Sequence, residues 1–204
     1  MAAGARITLF GWTVAGALAA AAGAGPAPAL VPAATAVELL DLSGRAVRPL
    51  DRGGARAVVF IFARSDCPIS NRYAPELRRL HDRFSAGGIA FWLVYTESRE
   101  SGEALTRHHR EFVYPFGALR DPEHALVRMA QATVTPEAAV FLPLPAGPRL
   151  VYRGRIDDRY LALGRARAAP TTRDLEGVLE AILAGRPVKT RTTTAIGCFI
   201  SSGE

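Results

Sequence analysis

The run FARSDCPISNRYAPELRRL, Phe62 to Leu80, carries one cysteine, Cys67, at the point where an apolar stretch gives way to a helical pattern. A thiol at such a junction meets unpaired backbone N–H groups and the positive end of the helix dipole, both of which favour the thiolate. The thiolate is the form that attacks sulfur. Pro68 fits a first helical position, where its missing N–H would have no partner anyway. Ser70, three residues on, is spaced to donate a hydrogen bond to the sulfur. The competing reading is a small, buried and unreactive side chain.

The second and last cysteine, Cys198, lies most of a domain away. In an exported protein an even count permits one disulfide without requiring it. The net charge is +6, but Lys189 is the one lysine among 25 basic residues, and acidic residues are interspersed throughout. Arg78, Arg79 and Arg83 alternate with Leu77, Leu80 and Phe84 at helical spacing, which reads as a solvated helix face. A nucleic-acid surface needs a clustered basic patch with stacking aromatics, and the sequence has none. His81, His108, His109 and His124 show no metal-ligand pattern, and His108-His109 reads as a solvated pair on a polar helix. No metal and no organic cofactor are expected.

The elements that must position Cys67 follow from periodicity. Ala57–Ala63, AVVFIFA, is continuously apolar and β-branched or aromatic, suiting a strand buried on both faces. A helix is expected from about Ser70 to Ser85, kinked at Pro75 and ended by Gly87-Gly88. Ile89–Glu97, IAFWLVYTE, is a second buried strand, so the three elements form a βαβ crossover and an α/β sheet. Residues 37–50 read as a small hairpin around Ser43-Gly44. Helices near Ser101–Phe112 and Pro122–Ala132, strands at Ala138–Leu142 and Arg149–Ile156, and a last helix from about Thr172 to Ala184 complete the domain. Thr171 and Thr172 suit the start of that helix and Gly185 its end.

The first 36 residues read differently. Arg6, an apolar run from Ile7 to Ala24 and then small residues and prolines follow the order of a secretory signal and a Pro/Ala linker. Cleavage sites of the small-x-small kind fall after Ala24, Ala29 or Ala36. The expected organisation is a leader and linker over 1–36, one domain over 37–185, and a Thr-rich tail over 186–204. Localisation is then periplasmic or otherwise extracytoplasmic, with membrane contact only if the leader stays uncleaved.

At Cys67-Pro68-Ile69-Ser70, with Ala74-Pro75 seven and eight residues after the cysteine, the chain resembles the thioredoxin-like redoxins related to alkyl hydroperoxide reductase (AhpC/TSA) and to exported thiol-disulfide oxidoreductases. Thr135-Pro136 ahead of a strand is the second match. The resemblance covers residues 37–185 and implies a thioredoxin-like α/β fold, a central mixed β-sheet flanked by helices. It also implies a cis peptide at Pro136 facing the cysteine, with Pro68, Thr135 and Pro136 lining a substrate groove. Ser70 replaces the second cysteine of the usual Cys-x-x-Cys. Phe60 and Arg64 stand where a peroxiredoxin carries proline and a hydroxyl residue, and Asn71 stands where copper-delivering relatives carry a second cysteine.

The resemblance implies thiol-disulfide exchange with Cys67 as nucleophile, on a thiol- or disulfide-bearing protein or an external reductant. A haem or copper protein is a further candidate partner by the same resemblance. Ser70 cannot release a mixed disulfide, because only another thiolate can. In the implied topology the last helix starts beside Cys67 and carries the chain about 20 Å away at 1.5 Å per residue. The 13 steps from Gly185 to Cys198 span up to about 43–47 Å extended, so the tail can double back. Cys198 is then a resolving cysteine, half of a static staple, or an unpaired thiol. The long segment from Asp157 to Pro170 falls at the same end, which makes Asp158 and Tyr160 candidate partner-facing residues, or members of a cluster that pins the loop. The rival functions are a thiol peroxidase and a non-catalytic binding or assembly module of the same fold.

Overall fold

The structure is a computed structural model that describes residues 1, 37–51, 53–97, 99–188 and 191–201. The leader and linker expected over 1–36 lie outside the described residues, Met1 excepted. All elements below belong to the unit Pro32–Glu204.

The apolar run Ala57–Ala63 forms strand β3, and all seven of its residues are buried. Side chains alternate across a strand, so β3 serves two cores. Val59, Ile61 and Ala63 face a cluster with Leu77, Leu80, Leu105, Leu175 and Leu179. Val58, Phe60 and Phe62 face another with Leu126, Val127, Ala130 and Phe141. Each large side chain sealed in this way contributes about 1.5–3 kcal/mol.

Ahead of it, β1 (Leu39–Asp41) and β2 (Ala46–Val47) make the expected hairpin. The Asp41 carboxylate ties its turn by accepting from Ser43 N at 2.8 Å and Arg45 N at 3.0 Å. After β3 come helices α1 (Pro68–Arg72) and α2 (Ala74–Phe84), a short turn, and β4 (Ile89–Tyr95). β4 is parallel to β3 in register Ala57↔Ile89, as a βαβ crossover requires. The expected single kinked helix is thus two helices. Tyr73 ends the first, and Pro75 falls in the first turn of the second, where an absent N–H breaks no helical bond.

Next are α3 (Gly102–Glu111), β5 (Ala118–Arg120), α4 (Ala125–Ala130), β6 (Val134–Thr135), β7 (Glu137–Leu144) and β8 (Gly147–Gly154). Strand β5 is an addition to the sequence reading, too short to show a period. α4 begins later than expected because Asp121 caps it from outside, accepting from Ala125 N at 2.7 Å and Val127 N at 2.9 Å.

The segment after β8 holds its own hairpin, β9 (Tyr160–Ala162) and β10 (Arg165–Ala166), before α5 (Asp174–Leu183). Thr171 and Thr172 do not start α5. Their N–H groups go to Asp158 at 2.6 and 2.9 Å, and Arg173 is the flanking residue. The tail contributes β11 (Arg191–Thr192) and β12 (Cys198–Phe199), neither of which periodicity marks.

The main sheet runs β11-β8-β7-β3-β4-β5-β1-β2. It is mixed, with β3, β4 and β5 parallel to one another, β7 antiparallel to both β3 and β8, and β11 parallel to β8. Helices cover both faces. This is the thioredoxin-like α/β architecture that the resemblance implies. No helix among the described residues is long and apolar enough to cross a membrane.

Candidate active site

Cys67 leaves the C-terminal end of β3 through a tight turn, its N–H donating to the Arg64 carbonyl at 3.3 Å, and flanks α1 as its N-cap. Its side chain is buried, and the thiol donates to the Thr135 carbonyl at 3.2 Å. That carbonyl belongs to β6, directly before the cis Thr135–Pro136 bond that the resemblance implies. Glu137 holds the turn in place. Its buried carboxylate accepts from Thr133 N at 2.8 Å and Val134 N at 3.4 Å, with Arg153 at 3.8 Å.

The tail closes the site. β11 pairs in parallel with the free edge of β8, and Thr193 fastens it there. Thr193 N–H donates to the Arg153 carbonyl at 3.0 Å, while its hydroxyl contacts Tyr152 Oη at 2.8 Å and accepts from Arg155 N at 3.1 Å. The chain then crosses to β6, where β12 pairs antiparallel with Cys198 opposite Thr135 and Phe199 opposite Val134. Ile200 N–H donates to the Thr133 carbonyl at 3.0 Å. Gly197 permits this approach, since a Cβ there would overlap the Thr135 carbonyl.

Cys67 and Cys198, both free thiols, are therefore neighbours, close enough for each to shift the other's acidity. Burial opposes ionisation of Cys67, but hydrogen bonds from Cys198, from the Ser70 hydroxyl and N–H, and from Thr135 outweigh it and lower the thiol to about 7. Burial raises Cys198 to about 11, and neighbouring Cys67 adds to the rise. One thiol ionises near neutrality and the other stays protonated as its donor. The Ser70 hydroxyl is buried without a hydrogen-bond partner in the resting structure, and it lies near enough to the Cys67 sulfur to lower the thiol.

This geometry gives a first expected result. Alkylation of Cys67 by iodoacetamide should follow a single ionisation near pH 7, and Ser70→Ala should move that midpoint upward by removing a donor to the thiolate. A variant with an unmoved midpoint would remove Ser70 from the site.

The loop before Cys67 is braced by residues that the sequence reading passed over. Ser65 donates to Glu100 at 2.6 Å, and Asn71 Nδ2 donates to the Ser65 carbonyl at 2.8 Å. Asn71 Oδ1 then meets His108 Nε2 at 2.9 Å, and His108 Nδ1 meets Tyr95 Oη at 2.7 Å. Because Asn71 Oδ1 can only accept, His108 Nε2 carries the proton and Nδ1 accepts from the tyrosine. His108 is thus a buried, hydrogen-bonded residue, not a solvated one, and burial lowers its pKa. Its helical neighbour His109 instead contacts the Phe116 carbonyl at 2.8 Å. No cluster of three or more metal-ligating side chains occurs among the described residues.

The other expected site residues divide. Pro68 opens α1 beside Cys67, and the Thr135 carbonyl, directly before the cis bond to Pro136, accepts from the thiol. Asp158 and Tyr160 lie at the same end, but both are buried. Asp158 is committed to Thr171, Thr172 and Arg167, which pins the loop. Tyr160 packs on Tyr73, whose hydroxyl donates to Asp157 at 2.5 Å. Phe60 is sealed in β3, and Arg64 is paired with Asp66 at 2.8 Å and Glu97 at 3.4 Å, so neither offers a peroxide-binding hydroxyl.

Solved structures share this fold. An uncharacterised conserved protein from Geobacillus kaustophilus is 27% identical with a TM-score of 0.70, over 82% of this chain and 90% of that one. A hypothetical protein from Sinorhizobium meliloti shares the fold at 23% identity and a TM-score of 0.69, over 82% and 92%. MTB dsbF, solved in mixed oxidised and reduced forms, shares it at 18% identity and a TM-score of 0.50, over 76% and 98%. No curated protein matches the chain. Residues 31–147 match the AhpC/TSA family, a span that runs from before β1 through Cys67 and the cis Thr135–Pro136 bond into β8. The chain belongs to the AhpC/TSA family, on a thioredoxin-like fold.

Proposed function

We propose that this protein is an exported thiol-disulfide oxidoreductase in which Cys67 is the nucleophile and Cys198 the resolving thiol. The observation that carries this reading is the β12–β6 pairing, which holds Cys198 against Cys67 while their acidities are split to about 7 and about 11. Family membership and the fold support the reaction class. The sequence of the first 36 residues supports export.

The Cys67 thiolate attacks one sulfur of a substrate disulfide. That S–S bond breaks, a Cys67–substrate disulfide forms, and the released thiolate takes up a proton. Cys198 then loses its proton and attacks the Cys67 sulfur, forming Cys67–Cys198 and releasing the second substrate thiolate. The substrate disulfide is reduced by two electrons and the cysteine pair is oxidised by two. An external dithiol restores the pair, and the same steps in reverse oxidise a dithiol substrate. Ser70 steadies the thiolate, and Thr135 and Pro136 shape the groove in which the disulfide sits.

The test is Cys198→Ala. A Cys67–substrate mixed disulfide should accumulate to near stoichiometry after acid quench and appear by mass spectrometry, whereas the unsubstituted chain passes through it. Turnover of the variant at the unsubstituted rate, with no trapped adduct, would refute the resolving role.

A further inference from the structure

We infer that the C-terminal strand β12 is a detachable occupant of the edge on which the substrate docks, so that substrate entry and tail docking exclude one another. The inference rests on the reading of Cys67 as nucleophile and adds what controls access to it.

Three observations converge. Among the described residues β6 pairs with β12 alone, so the strand that fills its hydrogen-bonding edge is the chain's own tail. Cys198 sits opposite Thr135, the residue whose carbonyl also meets the Cys67 thiol. Cys67 is 1% exposed, so its sulfur presents no open face to a protein disulfide while β12 is seated. In-line attack requires a disulfide to present its S–S axis to the Cys67 sulfur, and Cys198 is the group beside that sulfur.

The tail is also built to let go at one end. Thr193 is fastened to β8 by three hydrogen bonds. Beyond it, β12 has two paired residues and the Ile200 bond. Phe199 is 77% exposed and Ile196, Cys198 and Ile200 are only partly buried against the two cores, so what opposes release of that end is partial apolar burial and a two-residue ladder. Five residue steps from Thr193 reach about 17 Å, enough for Cys198 to swing clear while β11 stays in place.

The vacated edge offers unpaired backbone groups beside a thiolate. An extended polypeptide segment meets those groups by strand addition, with its cysteine in the register that Cys198 leaves. The partner is therefore a protein segment that is extended and carries a disulfide-bonded cysteine. After Cys67 attacks it, return of β12 does two things at once. It brings the Cys198 sulfur to the mixed disulfide, and it displaces the partner's strand from β6.

The test uses the full chain in a Cys198→Ser background, with and without Gly197→Val. The added side chain overlaps the Thr135 carbonyl and unseats β12. One probe is a synthetic peptide of residues 194–201 whose cysteine is disulfide-linked to thionitrobenzoate, and the other is the glutathione mixed disulfide of the same chromophore. Cys67 attack forms a Cys67–peptide or Cys67–glutathione disulfide and releases the coloured thiolate in equal amount. If β12 is seated at least nine-tenths of the time, unseating it should raise the peptide rate about tenfold or more. The peptide should also outpace glutathione in the Gly197→Val chain. Ile200→Pro, which deletes the N–H donated to Thr133, should act in the same direction and covers misfolding of the first variant.

Equal rates with β12 seated and unseated would overturn the inference, as would a Gly197→Val chain that treats the two probes alike. The two readings fail differently. Equal but fast rates sink the gate and leave the nucleophile intact, whereas rates no faster than free cysteine in every variant sink the nucleophile.

Discussion

Cys67→Ser should reduce disulfide exchange by the purified protein to the level of buffer, a loss on the order of 10³ or more for removal of an attacking group. At pH 7 about half of the Cys67 population is thiolate, against about one part in a hundred for a thiol at its ordinary value of 9.0. A serine hydroxyl does not ionise in this range, so the variant should show no pH dependence. The unsubstituted chain should lose activity as pH falls through 7, because protonation removes the nucleophile, and retain about one-hundredth of it at pH 5. Initial rates of insulin disulfide reduction between pH 5 and pH 9 check both statements. Exchange that persists in Cys67→Ser, or that is flat across this window in the parent, would contradict the assigned nucleophile.

Glu137→Ala should cost about 2–4 kcal/mol of folding stability, because two backbone N–H groups lose a charged acceptor at once. Those groups are the half-buried Thr133 N and the buried Val134 N, which puts the loss at the lower end of that range, and the turn they hold carries the Thr135 carbonyl to Cys67 and pairs with β12. The loss should therefore reach the site as well. Glu137→Gln keeps an acceptor oxygen and should cost roughly half as much by the same reasoning. Urea denaturation of both variants, alongside the rate of Cys67–Cys198 disulfide formation under mild oxidant, separates the two effects. A Glu137→Ala chain as stable as its parent would show that water satisfies the turn and that the carboxylate is dispensable.

Much of the fold is legible in order. The seven-residue apolar run of β3 and the similar run of β4 flank a helical stretch that ends at paired glycines, and a chain so patterned can bury both strands only between helices. The hairpin at Ser43-Gly44 follows from turn chemistry. Boundaries were less legible wherever a remote side chain supplied the cap. Asp158 takes the N–H groups of Thr171 and Thr172, and Asp121 moves the start of α4, and neither reach is local enough to read from spacing. Pro75 misled in a different way. It breaks one helical pattern into two, and the break falls at Tyr73, two residues before the proline.

At the site, a cysteine between a buried strand and a helix start states its own chemistry, because backbone geometry at that junction is set by the elements on either side. The sequence by itself determined the α/β class, the position of Cys67, the presence of Ser70 one turn on, and the length that lets the tail return. Only the tertiary structure decided that the tail does return, that it pairs with β6, and that Cys198 rather than some other residue faces Cys67. It also decided that His108 is a buried brace and that Asp158 pins a loop. The physical reason is common to all five. Strands of two residues and single buried polar groups have no period along the chain, and their partners lie from 9 residues away, for Asp158 and Arg167, to 131 away, for Cys67 and Cys198, where only the folded backbone brings them together.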